Sequence, residues 1–241
     1  FYAAYWPSMT SFLPCFQKMT PARSLLADGF QSVDAFLGRL MDELTELGIA
    51  ENTVVVAHAD NGPMVHDPPS GAGFSETVFR GGKSDYWEGG IRVAAFAWWP
   101  GTIAAGSVVG DMLHEVDLFT TFARLAGATG NIPTDRVIDG IDQTALFLNG
   151  DTSGRRDYNF VYTGNILAAT TKGRFKRVWI ADHPGLPGAA FYDLYNDTRE
   201  MFPALVPYLT TSSSFTQMRA RHELWKKRYP IGRPSAGFPS R

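Results

Sequence analysis

Apolar residues in the first quarter of the chain recur with the period of an α-helix. Their spacings alternate between four and three residues, which places them along one face of an amphipathic helix. Thr20 and Pro21 suit the beginning of this helix, and Gly48 suits its end because glycine adopts a left-handed conformation at little cost. The apolar stripe consists of Leu26, Phe30, Val33, Leu37, Leu40, Leu44 and Leu47.

Short apolar runs on either side of a long loop predict strands. Residues 1–6, 54–56 and 91–99 lack the polar alternation of a half-exposed strand, as expected where both faces of a sheet are covered. A helix, a turn and a buried strand in succession indicate an α/β layered domain with a largely parallel sheet. The glycine- and proline-rich loop over residues 62–90 is too long for a simple connection, and we expect it to be functional.

The second half of the chain has a different pattern. Asp117 suits the N-cap of a helix that ends at Gly127. Further along, short apolar runs separated by turn residues predict an antiparallel meander, followed by a covering helix over roughly 213–228. We therefore expect an α/β domain over residues 1–157 and a smaller domain of antiparallel sheet and helix over residues 158–241.

The composition narrows the classes of protein. The chain has 241 residues, 44% of them hydrophobic and 19% charged, as in an ordinary globular protein. The 22 basic and 24 acidic residues nearly cancel and form no basic stripe, which gives no reason to expect a nucleic acid partner. No apolar run approaches the ~20 residues that cross a bilayer, so we expect no membrane association. Cys15 is the single cysteine, which excludes an internal disulfide.

A strand runs directly into a cluster of polar side chains in "VVVAHADNGPMVHD", residues 54–67. Asp60 and Asn61 offer hard oxygen donors of the kind that Ca²⁺ and Mg²⁺ prefer, at the strand end where α/β sheets bind ligands. Gly62 would let the backbone turn sharply beside them. The alternative is an Asx-type turn that only reverses the chain. His58 is a candidate substrate-binding residue, with an ordinary hydrogen-bonding role as its alternative.

A second candidate is Lys83, in the stretch "RGGKSDYWEGG" at residues 80–90. Glycines on both sides permit close approach of the backbone to a ligand, and a lysine ammonium suits an anion. The alternative is an exposed lysine surrounded by solvent, and the spacing is not that of a phosphate-binding P-loop. Glu88 and Arg92 lie four residues apart, and we expect them to pair and to hold the shape of the loop.

Together these segments resemble the C-terminal half of sulfatases of the arylsulfatase type, in the alkaline phosphatase superfamily. Six motifs occur in the order and with the spacing of that family over nearly the whole chain, a combination far more specific than any one of them. They are "GIAENTVVVAHADNG" (48–62), "RGGKSDYWEGGIRVA" (80–94), "WPG" (99–101), "DLFTTFARLAG" (117–127), "IDGIDQTALFLNG" (138–150) and "FYDLYNDTRE" (191–200).

The resemblance implies roles for the candidate residues. Asp60 and Asn61 would be metal ligands for Ca²⁺ or Mg²⁺, and Lys83 would contact the sulfate group as a catalytic and substrate-binding residue. The cation would withdraw charge from the sulfate oxygens, and the ammonium would stabilise the charge that develops as the S–O bond breaks. His58 and Ala59 depart from the hydroxyl residues that commonly precede this Asp-Asn pair in the family.

The resemblance also implies a fold and a partner. The fold would be an incomplete mixed or parallel sheet of the alkaline phosphatase type with flanking helices, which places residues 1–157 in the C-terminal part of the main sulfatase domain. A small-molecule sulfate ester would be the partner, and a second copy of the chain would cover the exposed edge of the incomplete sheet. Family members are often periplasmic, secreted or lysosomal, but the opening "FYAAYWPS" predicts no signal peptide, and the compartment stays open.

The chain departs from the family at the nucleophile. Sulfatases use a formylglycine made from the first residue of C-x-P-x-R or S-x-P-x-R, and their metal site includes an Asp-Asp pair. Neither sequence occurs in this chain, and "MTPAR" at residues 19–23 places Met19, which cannot be oxidised to an aldehyde, at the nucleophile position. We therefore expect a segment of a longer protein that hydrolyses a sulfate ester only together with its N-terminal half.

Other functions stay open at this point. The superfamily also contains phosphate and phosphonate ester hydrolases, which share the arrangement of metal and anion. A catalytically inactive remnant that binds a ligand or has a structural role is a non-enzymatic alternative. Cys15 with a histidine is a conceivable thiol nucleophile, but no local signature supports it, and a lone cysteine is usually a small buried apolar residue.

Overall fold

The computed structural model describes residues 2–4, 25–64, 78–180 and 190–229. The chain divides into two units, each of which is built from separate stretches of sequence. The first unit comprises Phe1–Asp60, Arg92–Leu113 and Asp142–Arg156, and the second comprises Asn61–Ile91, His114–Ile141 and Asp157–Arg241.

The first unit contains a mixed sheet of four strands, β1 (Tyr2–Ala4), β2 (Val55–His58), β3 (Ala94–Trp98) and β4 (Val108–Val109). Their order in the sheet is β2-β3-β1-β4. The prediction of a largely parallel sheet was wrong, because β1 runs parallel to β3 whereas the pairs β2–β3 and β1–β4 are antiparallel. Helix α2 (Glu88–Ile91), which precedes β3 along the chain, is in the second unit.

Helix α1 (Leu25–Glu46) confirms the amphipathic helix predicted from the apolar stripe. Gly48 follows it with a φ of +69°, the left-handed conformation expected of a glycine after the last turn. The stripe nevertheless stays largely exposed, with 59% of Phe30 and 56% of Val33 open to solvent. Thr20 and Pro21, the predicted start, lie outside the described residues. A 3-10 turn (Ala50–Asn52) and helix α4 (Thr144–Asn149) complete the described elements of this unit.

The second unit contains a four-stranded antiparallel sheet in which each strand pairs with the next along the chain. This arrangement confirms the predicted meander. Two of its turns contain glycines in the left-handed region, Gly164 and Gly173, with φ of +56° and +54°. The strands are β5 (Tyr158–Thr163), β6 (Ile166–Lys172), β7 (Phe175–Val178) and β8 (Phe191–Asp193).

Helix α5 (Leu205–Arg228) packs against β6 and β8 of this sheet. Phe215 is 1% exposed and meets Phe191 edge to face, with ring centroids 5.0 Å apart. The helix was expected to begin at about residue 213. It begins earlier because Pro207 lies in the first turn, where its missing N–H costs nothing, and because packing outweighs the weak helix propensity of the Thr-Ser run that follows.

Helix α3 (Glu115–Leu125) begins two residues before the predicted N-cap, Asp117. The N-cap is His114, whose ring accepts a hydrogen bond from the Val116 amide, and Asp117 completes a capping box by accepting from the His114 amide at 2.9 Å. The fully buried Asp117 also accepts from the Ile141 amide at 2.7 Å. A 3-10 turn (Thr129–Asn131) follows α3. Of the helices in the described ranges, none combines the length and apolar character needed to cross a membrane.

Candidate functional site

The end of β2 presents the predicted metal ligands. Residues Val55–His58 pair in antiparallel register with β3, and the Ala59 amide adds one further hydrogen bond to the Ala94 carbonyl oxygen, at 3.2 Å. The chain then leaves the sheet, and the next residue, Asp60, is exposed. Asp60 therefore lies at the strand end, as the sequence predicts.

His58 and Asn61 each make a short-range hydrogen bond beside Asp60. Nδ1 of His58 donates to the carbonyl oxygen of Ala59 at 3.0 Å, and the ring is exposed. The half-buried Asn61 donates from its amide nitrogen to the carbonyl oxygen of Gly62 at 2.9 Å. This bond turns the amide oxygen of Asn61 away from that carbonyl. Like the carboxylate oxygens of Asp60, this amide oxygen is a hard ligand for a metal ion.

Lys83 occupies the tip of a tight turn. The Asp85 amide donates to the carbonyl oxygen of Gly82 at 3.0 Å, and Ser84 has a φ of +71°, a left-handed conformation that is uncommon outside glycine. The Lys83 amide donates to the carbonyl oxygen of Pro63 at 2.8 Å, while its side chain is exposed. The backbone of Lys83 thus lies against the segment that immediately follows Asn61.

Glycines allow this segment and the lysine loop (Arg80–Gly90) to approach each other. The Gly62 amide donates to the Gly90 carbonyl oxygen at 3.0 Å, and a Cβ on Gly62 would lie 1.7 Å from the carbonyl oxygen of Gly89. Within the loop, a Cβ on Gly89 would lie 2.3 Å from the Gly81 carbonyl oxygen. Side chains at these positions are excluded by neighbouring backbone, which explains the glycine-rich sequence.

Trp87 anchors the lysine loop in the core of the second unit. It is 7% exposed and packs with Val161, Ala169, Val178 and Tyr192, meeting the Tyr192 ring edge to face at 5.7 Å. The Arg80 guanidinium lies 3.7 Å from the centroid of the Trp87 indole, a cation–π contact. The loop that presents Lys83 therefore rests on packed aromatic side chains.

Glu88, at the end of this loop, forms a buried ion pair with Lys176 of β7, with Oε1 and Nζ 3.0 Å apart. Lys176 is fully buried and also pairs with Glu200, at 2.8 Å. The sequence predicts that Glu88 pairs with Arg92, and it does not reveal the ion pairs of Glu88 and Glu200 with Lys176. Glu200 is the last residue of the sixth motif, and that position was a sign of its importance in the sequence. The sign for Lys176 is visible only once the fold is known: it shares the inner face of β7 with Val178.

The predicted site residues are therefore divided between the two units. Asn61 and Lys83 lie in the second unit, where Pro63 links their backbones, whereas His58 and Asp60 are in the first unit. Cys15, Met19, His66 and Asp67 fall outside the described ranges. The pairing of Glu88 with Arg92 stays a prediction.

Asp60 and Asn61 have the type of oxygen ligand that a hard divalent cation prefers. Asp60 and Asn61 are adjacent oxygen donors, whereas Ca²⁺ takes about six to eight oxygens and Mg²⁺ about six. In the part of the chain that the structure describes, no group of three or more His, Cys, Asp or Glu residues could hold a metal ion. On their own, the two residues could supply only part of such a coordination shell.

Known proteins with similar sequences are sulfatases. The family model described as Sulfatase matches residues 1–128. N-acetylgalactosamine-6-sulfatase of Mus musculus is 38% identical over 176 residues, which make up 71% of this chain and 33% of that protein. Steryl-sulfatase of Rattus norvegicus is 40% identical over 145 residues, 59% of this chain and 25% of that protein. The chain spans a third or less of the length of these two relatives.

A solved structure with a similar fold is that of PsFucS1 sulfatase from Pseudoalteromonas sp. The TM-score is 0.77 at 29% sequence identity, and the match covers 91% of this chain and 46% of that one. This likeness confirms the predicted fold class, a mixed sheet with flanking helices and a small antiparallel sheet.

Proposed function

The chain belongs to the sulfatase family, and on this basis we propose that it carries the cation-binding and sulfate-binding side of a sulfuric ester hydrolase. Asp60 and Asn61 would be ligands of a Ca²⁺ or Mg²⁺ ion. Lys83 would bind the sulfate group and act in catalysis, and His58 would contribute to substrate binding.

One hydrogen bond supports this proposal most directly. The Lys83 amide donates to the Pro63 carbonyl oxygen at 2.8 Å, two residues after Asn61 along the chain. Because Gly62 also packs on Gly89 and Gly90, the lysine turn and the Asn61–Pro63 segment are held together by their backbones. A rigid backbone is what a site needs if an amide oxygen and an ammonium are to meet one ligand.

The chemistry assigns each group a task. A bound divalent cation would supply electrostatic withdrawal of charge from sulfate oxygens. The Lys83 ammonium is an exposed point charge that can pair with a sulfate oxygen and stabilise negative charge as the S–O bond breaks. The two curated relatives act, by their names, on an N-acetylgalactosamine sulfate and on a steryl sulfate, so we propose recognition of the sulfate ester and leave its alcohol unspecified.

The test compares three 4-nitrophenyl esters, which share one leaving group and differ in the group transferred, on one enzyme. The product of the complete gene is assayed with 4-nitrophenyl sulfate, phosphate and phosphonate, with and without a chelator. We expect fastest turnover of the sulfate, inhibition by the chelator, and a loss of about 10²–10³ in kcat/KM for Lys83→Ala, the usual effect of removing one transition-state donor. Lys227→Ala, at an exposed lysine of α5, is the matched control and should leave the rate unchanged.

Each other outcome identifies a different function. Faster turnover of phosphate or phosphonate would assign the protein to those hydrolases instead. A function that survives both Asp60→Ala and Lys83→Ala would favour the inactive binding or structural remnant. The 241 residues alone are expected to release no sulfate, because their sequence contains no formylglycine motif, and release by this chain would contradict the nucleophile assignment.

A further inference from the structure

Beneath the lysine loop lies a buried group of ionisable side chains that the proposed chemistry does not use. Nζ of Lys176 lies 3.0 Å from a carboxylate oxygen of Glu88 and 2.8 Å from one of Glu200. Lys176 and Glu200 are fully buried, and Glu88 is 6% exposed. These three residues, the buried triad, come from the loop, from β7 and from the segment after β8.

Glu200 holds both ends of the lysine loop. Its second carboxylate oxygen accepts from the Glu88 amide at 2.7 Å, and its main-chain carbonyl accepts from the Arg80 guanidinium at 2.7 Å. The loop is closed by the Gly89 amide, which donates to the Arg80 carbonyl oxygen at 2.7 Å. One residue, distant in sequence, therefore fixes the span from which Lys83 projects.

The buried triad is poorly explained by stability alone. Burying charges carries a desolvation cost, and apolar residues of similar volume are often as stabilising as a buried ion pair. Glu200 also has a φ of +51°, a left-handed conformation that is strained for a non-glycine residue. Together with Arg80 the triad contains two positive and two negative groups, so the charges balance while Lys83 stays exposed at the tip. Such an arrangement fixes geometry more than it adds stability.

We propose that Glu200 is a positioning residue for the sulfate contact of Lys83, acting through the two ends of the loop. This inference rests on the proposed function of Lys83. Glu200 itself is fully buried, and the part it plays is to hold Arg80 and Glu88 at a fixed separation, so that the turn at Lys83 and Ser84 meets Pro63 in one position.

The experiment is a double-mutant cycle in the product of the complete gene. Glu200→Gln keeps the shape of the side chain, but its amide nitrogen cannot accept a hydrogen bond, so one of the two carboxylate contacts is lost. We expect a loss of at least about tenfold in kcat/KM for 4-nitrophenyl sulfate, since small misplacements of a catalytic group cost up to about a hundredfold. In the Lys83→Ala background the same substitution should change kcat/KM less than about twofold, because nothing remains to be positioned.

Hydrogen exchange provides a readout that does not depend on catalysis. Glu200→Gln should speed exchange of the Lys83 and Gly89 amides, which donate to Pro63 and Arg80. Lys172→Met is the matched control, because Lys172 lies in the same sheet and forms its ion pair with Asp157 through largely exposed side chains. It should leave both the exchange and the rate unchanged. If Glu200→Gln does not fold, Glu200→Asp replaces it, since the shorter carboxylate cannot reach both partners.

The outcomes separate failure of this inference from failure of the proposed function. Equal losses in both backgrounds, no loss in either, or unchanged exchange at Lys83 and Gly89 would each overturn the positioning role. Faster exchange in an enzyme whose rate does not respond to Lys83→Ala would instead refute the catalytic role of Lys83, and with it the premise of this inference.

Discussion

The two sheets of the molecule differ in how deeply their residues are buried. In the second unit, Ala168, Ala169 and Thr170 of β6 and all three residues of β8 are buried. In the first unit, the residues of β2 are half-buried or exposed, and Ala95 is the single buried residue of β3. The helices repeat this contrast, since Phe215 of α5 is 1% exposed and Phe36 of α1 is 58% exposed.

This difference shows which part of the candidate site packs on a buried core. The lysine loop contacts the well-buried core of the second unit through Trp87 and the buried triad. Asp60, in contrast, leaves a sheet in which the residues of β2 are half-buried or exposed. The expected pairing of two copies over the edge of this sheet is tested by sedimentation of the chain at several concentrations.

The largest effect on stability is expected from Lys176→Met. Removal of the ammonium leaves the carboxylates of Glu88 and Glu200 buried without their common partner, and breaking a buried pair in this way costs about 3–5 kcal/mol. The free energy of unfolding, measured with urea and followed by circular dichroism, checks this value. Lys172→Met, which removes an exposed pair with Asp157 in the same sheet, should cost less than about 1 kcal/mol. Equal costs for the two lysines would contradict the contrast between the buried and the exposed ion pairs.

The next largest effect on stability is expected when a phenylalanine side chain is removed, and one phenylalanine of each unit is compared. Phe215→Ala removes a ring that is packed against Phe191 in the second unit, and should cost about 3 kcal/mol through lost burial and a residual cavity. Phe36→Ala removes an exposed ring of α1 and should change the free energy of unfolding by about 0.5 kcal/mol or less. A large loss of stability for Phe36→Ala would show that the Phe36 ring is covered in solution, and sedimentation of the variant would then reveal whether a second copy of the chain covers it.

A smaller effect is expected at the glycine beside the predicted metal ligands. Gly62→Ala places a Cβ against the backbone of Gly89, and overpacking of this kind costs about 1–3 kcal/mol. Gly130→Ala is the control in the same unit, because nothing lies within 4 Å of the added Cβ, and it should be neutral. Thermal unfolding of both variants provides the measurement. Equal melting temperatures for the two would show that the loop and the Asn61–Pro63 segment do not approach each other closely.

The sequence predicted the elements whose pattern is local. The stripe on α1 follows from a period of 3.6, and the strand before Asp60 and the meander after residue 157 follow from short apolar runs bounded by turn residues, which neighbouring residues reveal without knowledge of the fold. The glycines of the lysine loop predicted a close approach of the backbone to a ligand, and in the structure it is neighbouring backbone that approaches Gly89. Local pattern and resemblance also selected the residues that we propose as ligand contacts.

The residues that support the loop could not be found in this way. Lys176 reads as a surface lysine in the run "FKRV", and only the pairing of β7 with β6 and β8 places it inside. The expectation of a largely parallel sheet was wrong for a related reason, since the direction in which two strands pair depends on contacts between segments that are distant in sequence. Contacts between distant segments determine both features, and no local period encodes them.

The smallest predicted effect concerns the pH dependence that Glu200 gives to the second unit. Burial raises the pKa of the Glu200 carboxyl above its ordinary value of 4.5, although the nearby Lys176 opposes the change. A raised carboxyl pKa means that, above pH 4.5, the unfolded chain loses a proton that the folded chain still holds. Stability due to this group is therefore present at lower pH and is lost as pH rises through the pKa of the folded state.

Glu200→Gln has no such proton, so thermal unfolding of parent and variant between about pH 4.5 and 7 isolates this contribution. The parent should lose stability relative to the variant as pH rises, by about 2–4 °C in melting temperature or less for a change near 1 kcal/mol. Other titrating groups, such as His222, whose pKa is lowered by burial, are common to both proteins and cancel in the difference. A difference that stays constant over this range would mean that Glu200 ionises as freely in the folded chain as in water, which its complete burial beside Glu88 argues against.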